Sequence, residues 1–158
     1  MFRELFRINQ KLDDAECIAL LKAEPRGILS VNGDDGYPYG MPMNHWYNDE
    51  DGRIYFHSGK TGHKIDAMLR DSKASFCVLD QGTKQDGDWA LTFRSVIVFG
   101  RIEPVEDFDR IIAISRQLSY KFTQDEAYIA EEIRRAGKRT FCFALVPEHI
   151  CGKRVNEK

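Results

Sequence analysis

Two short turns, placed close together, decide most of what this chain can fold into. Gly33-Asp34-Asp35-Gly36 and Asn48-Asp49-Glu50-Asp51-Gly52 each separate runs rich in β-branched and aromatic residues. Connections that short join antiparallel neighbours, because a parallel pair needs a crossover of roughly a dozen residues or more. The runs are Arg26 to Asn32, about Tyr39 to Tyr47, and Arg53 to His57, and they predict a three-strand meander. Further strands are expected at Ala74 to Leu79, at Leu91 to Val105, and at Phe141 to Val146, with Pro147 ending the last. Gly100 alone interrupts the long run and suits a bulge or a sharp bend. Asp13 or Asp14 can cap a first helix with Ala15, Ile18, Ala19 and Leu21 on its apolar face, stopped by Pro25 and Gly27. Phe108 to Lys121 and Glu126 to Ala136 read as helices, the first with Ile111, Ile112, Ile114 and Leu118 on one side. Helices are too few for a doubly wound parallel sheet. The pattern predicts a mainly β, small antiparallel barrel with helical additions.

One connection carries chemistry. IYFHSGKTGHKIDAML, Ile54 to Leu69, runs a strand into a helix whose stripe is Ile65, Met68 and Leu69, and the switch falls between Gly59 and Gly62. The first N–H groups of a helix are unpaired and carry a partial positive charge of roughly half an elementary unit, which favours an anion. Ser58 and Thr61 offer hydroxyls, and His63 and Lys64 offer ring N–H and full charge. The segment is no Walker frame, so on spacing alone an ordinary connection with solvated cations explains it equally well.

Bulk properties narrow the classes. The 158 residues fit one domain, 1–158, able to bury a core. With 23 basic and 25 acidic residues the net charge is −2, which gives no footprint for nucleic acid. The charged start MFRELFRINQKLDD has no apolar run of signal length, and no membrane-length apolar segment follows, so a cytoplasmic protein without a membrane partner is expected. Cys17, Cys77, Cys142 and Cys151 lie far apart without a CxxC, as expected for free thiols; Cys151, between His149 and Lys153, is the one whose neighbours could activate it. His45, His57, His63 and His149 form neither HxxxH nor HExxH, so no metal site is expected. His149 reads as a solvated tail residue, Trp46 as a strand residue facing core or interface, and Trp89 as a loop anchor near a partner subunit or cofactor.

Four segments together resemble a known family: GILSV (Gly27 to Val31), PYGMPMN (Pro38 to Asn44), IYFHSGKTGHKIDAM, and SVIVFGRIEPV (Ser95 to Val105). The chain is similar to the pyridoxamine-phosphate-oxidase-like, FMN-binding split β-barrel flavoproteins, in the branch of the nitroimidazole-resistance (Nim) proteins. The resemblance implies an antiparallel split barrel that binds FMN, with the phosphate at Ser58, Gly62, His63 and Lys64. It also implies that Met41, Pro42, Met43 and Asn44 run along the flavin ring, with His57 and Ser95 nearby. Such barrels are homodimers with the cofactor sites at the interface, a surface that Trp89 to Phe99 would suit. Oxidases acting on pyridoxamine phosphate carry glutamine where this chain has Ser95, and an arginine-rich tail where it has Lys153 and Arg154. These departures point to a nitroreductase-like oxidoreductase acting on a small acceptor. The rival reading is a non-catalytic flavin- or haem-binding module that senses redox state. No acid, base or nucleophile stands out, because flavin chemistry asks little of side chains.

Overall fold

The computed structural model describes residues Met1–Lys158. Its strands are β1 (Arg26–Asn32), β2 (Pro38–Asn44), β3 (Trp46–Asn48), β4 (Arg53–Gly59), β5 (Lys73–Leu79), β6 (Thr83–Lys84), β7 (Leu91–Val105) and β8 (Thr140–Asn156). The helices are α1 (Asp14–Ala23), α2 (His63–Arg70), α3 (Phe108–Tyr120) and α4 (Glu126–Ala136). All strand pairs are antiparallel, in the order β2-β1-β5-β7-β8-β4-β3 with β6 beside β7. The result is a curled half-barrel with four helices, a split β-barrel.

The concave side holds the main core. Leu29, Phe56, Phe76, Val96, Val98 and Phe143 meet there with Leu20 and Leu21 of α1 and Ile65 and Met68 of α2. Phe56 stacks on Phe143 and takes Phe76 edge-on. A second, smaller core lies on the convex side, where Ile111, Ile114 and Leu118 of α3 cover Tyr55, Cys142 and Ala144. Ile54, Tyr55 and Phe56 are therefore buried in succession, as happens where both faces of a strand are covered.

Several expectations need correction. The second strand breaks at His45, whose wholly buried ring bonds the Leu21 carbonyl oxygen across 2.6 Å, so Trp46 begins a separate strand. α1 is capped by Asp13 in a reciprocal capping box with Glu16, yet it buries Cys17, Leu20 and Leu21 and leaves Ala15 and Ala19 exposed. On α2 the buried set is Ile65, Ala67 and Met68, and Leu69 faces solvent.

Pro147 does not end the last strand. β8 continues to Asn156, and the register slips so that Phe99 faces His149 while Gly100 faces Pro147, leaving Glu148 as the extra residue. That bulge tolerates a proline and moves β8 by one residue, so Phe143 and Leu145 point to the core before it and Ile150 and Gly152 after it. Gly100 permits the crossing: a Cβ there would meet the Val146 carbonyl oxygen. His149 is consequently a half-buried strand residue, not a solvated tail residue, with its ring stacked on Phe2 at 5.0 Å.

All four cysteines are free thiols. Burial raises the Cys17 thiol to about 11 and the Cys142 thiol to about 12. No group of three or more His, Cys, Asp or Glu side chains is placed to hold a metal ion. No helix is long and apolar enough to cross a membrane.

Candidate functional site

β2 ends the pairing order, so one of its edges has no strand partner, which is where Pro42 can be tolerated. Alternation along β2 turns Met41 and Met43 into the core and Gly40, Pro42 and Asn44 outward. The two methionine side chains are therefore turned away from the outer side. Arg26 donates its Nε–H to Asn44 Oδ1 at 3.0 Å, which leaves the Asn44 amide hydrogens free.

At one end of β2 stands the start of α2. Gly62 occupies the N-cap with φ +121°, a conformation costly for other residues, and space above it is open. No side chain caps this helix, so its first N–H groups keep their donor capacity. The His63 ring stacks on Tyr39 at 4.2 Å and 9°, which fixes its direction, and Nε2 stands 3.4 Å from Asp34 Oδ2. Asp34 is also held by Arg70 Nη1 at 2.9 Å, so its charge is shared. Lys64 is half-buried and enters no ion pair. Ser58 Oγ donates to the Gly59 carbonyl at 2.9 Å and must rotate to serve a ligand.

At the other end, Asn44 and His57 meet at a cavity of about 260 Å³ roofed by α3 and α4. Loss of hydration on burial lowers the His57 pKa below the ordinary imidazole value.

The candidates thus gather in two clusters, Ser58, Gly62, His63 and Lys64 around the α2 start, and Asn44 with His57 at the cavity. Ser95 is not among them. It lies on the convex face of β7 between Leu79 and Lys153, and two strands separate β7 from β2, roughly 14 Å at ordinary strand spacing. Sequence reasoning missed Tyr39, Asp34 and the α3–α4 side of the cavity. Tyr39 lies inside the PYGMPMN segment, so an aromatic two residues before Met41 was the available signal.

The family model described as pyridoxamine 5'-phosphate oxidase matches residues 13–154. The chain belongs to the pyridoxamine 5'-phosphate oxidase family. Solved structures of the same fold include a candidate 5-nitroimidazole antibiotic resistance protein of Bacteroides thetaiotaomicron, with TM-score 0.78, 20% identity, and coverage of 92% of this chain and 87% of that one. An FAD-binding protein of Mycobacterium smegmatis follows at TM-score 0.61 and 22% identity, over 93% and 98% of the two chains. The flavocytochrome Anf3 of Azotobacter vinelandii gives TM-score 0.74 and 19% identity, over 96% and 72%. No curated protein matches the chain.

Proposed function

We propose that this family member binds FMN and works as an oxidoreductase that passes electrons to a small acceptor such as a nitro-aromatic. The observation that carries the reading is the alignment of three features on one edge: the uncapped start of α2, the unpaired edge of β2, and the cavity at Asn44 and His57. The donor set fits the cofactor's polar parts. Helix N–H groups from Gly62 onward, the oriented His63 ring and the unpaired Lys64 amine suit a phosphate, with Ser58 adding a hydroxyl after rotation. The outward Pro42 carbonyl and the free Asn44 amide suit the polar edge of the flavin, with His57 beside it, while Met41 and Met43 hold β2 in place through the core and the β1 ladder. Bound FMN would supply the electron transfer, and these residues hold, orient and partly shield it.

The functional unit in this proposal is a homodimer with cofactor sites at its interface. Support comes from the uncovered convex face, where Pro42, Ile28, Cys77, Ile97 and Cys151 form one register row across five strands. Ser95 belongs to that same face, and a partner subunit is what would bring it to a cofactor. Free thiols throughout the chain agree with a reducing, cytoplasmic setting.

The test is an absorbance spectrum of the purified protein with acid release of any chromophore, then titration with FMN. Twin flavin bands and released FMN support the reading, an intense Soret band moves the case to a haem-binding module, and FMN whose fluorescence is not quenched sinks it. Lys64→Ala is expected to weaken FMN binding by about 1–3 kcal/mol, the range of a charge-assisted hydrogen bond. An unchanged dissociation constant would remove Lys64 from the site.

A further inference from the structure

The cavity beside Asn44 and His57 is built mostly by residues that the cofactor does not require. Leu118 and Phe122 of the α3 side and Ile129 of α4 form apolar walls, while Ser115, Tyr128 and Glu132 add polar atoms. No lysine or arginine lines it. Glu132 is the one acidic side chain, and Arg135 Nη2 holds its two oxygens at 2.8 and 2.9 Å from outside the cavity, which fixes the carboxylate in place and shares its charge. Two of the three remaining hydroxyls already donate to helix carbonyls: Ser119 Oγ to that of Ser115 at 2.9 Å, and Thr140 Oγ1 to that of Ala136 at 3.0 Å. Ser115 and Tyr128 make no side-chain hydrogen bond from their hydroxyl groups and remain able to donate.

Resting on the FMN reading above, we propose that this α3–α4 cavity is the acceptor site and that it selects uncharged one-ring or two-ring aromatic acceptors over anionic ones. The volume of about 260 Å³ lies just under the usual range for sites of drug-sized ligands, roughly 300–1,000 Å³, so one or two rings fit and a nucleotide does not. Apolar walls take the ring, and the Ser115 and Tyr128 hydroxyls donate to its oxygens. A carboxylate or phosphate would lose its hydration without meeting a free cation, because the nearby Arg135 charge is already taken up by Glu132. Phosphorylated substrates are therefore excluded by this wall of the site, independently of how the cofactor's own phosphate is held at the far end of β2.

The experiment uses full-length protein, with and without FMN, and two probes of matched shape, 4-nitrobenzyl alcohol and 4-nitrobenzoate, read by calorimetry. The neutral probe is expected to bind at least about tenfold more tightly than the anion, which is desolvated there without a free cation to pair with it. Glu132→Gln should narrow that ratio by about threefold or more. Ser115→Phe, which fills the cavity from α3, should abolish neutral-probe binding while circular dichroism and the FMN dissociation constant stay unchanged. Should Ser115→Phe not fold, Ala136→Leu fills the same space from α4. Equal affinity for the two probes, or undiminished binding to the filled variant, overturns the proposal. Loss of the FMN reading shows separately, as unquenched FMN with probe binding still measured on the flavin-free protein.

Discussion

One sheet, two convex faces: where β4 meets the first half of β8, α3 covers Tyr55, Cys142 and Ala144, whereas across β1, β5, β7 and the second half of β8 no helix covers Ile28, Ile97 or Phe99, and Phe2 alone rests its ring on Phe99. β8 passes through both settings, and the bulge at Glu148 divides them. Both stretches carry apolar side chains outward at strand period, so local sequence does not distinguish them. The difference lies in what the chain supplies afterwards. α3 and α4 come between β7 and β8 and fold back over one half only. The covered half is finished by its own chain, and the bare half is left apolar at 38% exposure for Ile97 and 41% for Ile28, as a face awaiting a partner would be.

The largest effect should come from the covered half. Ile114 is 4% exposed and packs with Tyr55, Cys142 and Ala144. Ile114→Ala should cost about 2–5 kcal/mol in urea unfolding, through lost transfer energy and the cavity left behind. The matching change on the bare face, Ile97→Ala, should shift the unfolding of dilute protein by no more than about 0.5 kcal/mol. Comparable losses at the two positions would mean that the faces are equally buried in solution, and the contrast would fail.

A second effect tests the concave core against acid. Burial, reinforced by the Lys121 charge, lowers the His45 pKa from 6.5 to about 4, and its Nδ1 is buried without a partner. The unfolded chain takes up this proton near 6.5 and the folded chain resists it down to about 4. Stability from this residue is therefore complete above pH 6.5 and is lost as pH falls through that window, about 3 kcal/mol in all. Chemical unfolding at pH 7 and pH 4.5 should show the loss, and His45→Gln should flatten the difference between the two. An unchanged pH slope in the variant would assign acid lability to carboxylates instead.

How much of this was legible depends on how far apart the causes lie. β7 was read to the residue, because fifteen residues of β-branched and aromatic pattern leave little choice, and Gly100, read as a bulge or a sharp bend, marks the point where the register with β8 shifts. α4 was equally plain, since Asp125 caps it and its run is helical throughout. β8 was cut short because Pro147 reads as a stop, and only pairing with β7 reveals that it sits in a bulge. The buried side of α1 was misjudged because Cys17 packs as an apolar residue there, beneath Gly152. At the site, the α2 start was legible because its donors are consecutive. The cavity was not, because Ser115, Tyr128, Glu132, Asn44 and His57 come from four elements and meet only in three dimensions.

The smallest change in fold stability should accompany the sharpest change in assembly. Ile97 stands in register between Cys77 and Cys151 in the bare row, and Phe2 of the N-terminal segment already rests beside it on Phe99 and His149. Ile97→Arg adds a charge that water accommodates readily in a monomer, so the unfolding of dilute protein should move by about 0.5 kcal/mol or less. Across a two-fold interface the same residue appears twice, and two buried arginines would have neither solvent nor a carboxylate partner. Sedimentation should then give a dimer for the parent chain and a monomer for the variant, with FMN affinity falling alongside if each subunit completes the other's site. A parent chain that sediments as a monomer would leave the bare face without its proposed partner. A variant that stays dimeric would place the interface elsewhere, and a monomeric variant with unchanged FMN affinity would confine the cofactor to residues of one chain, with Ser95 outside its reach.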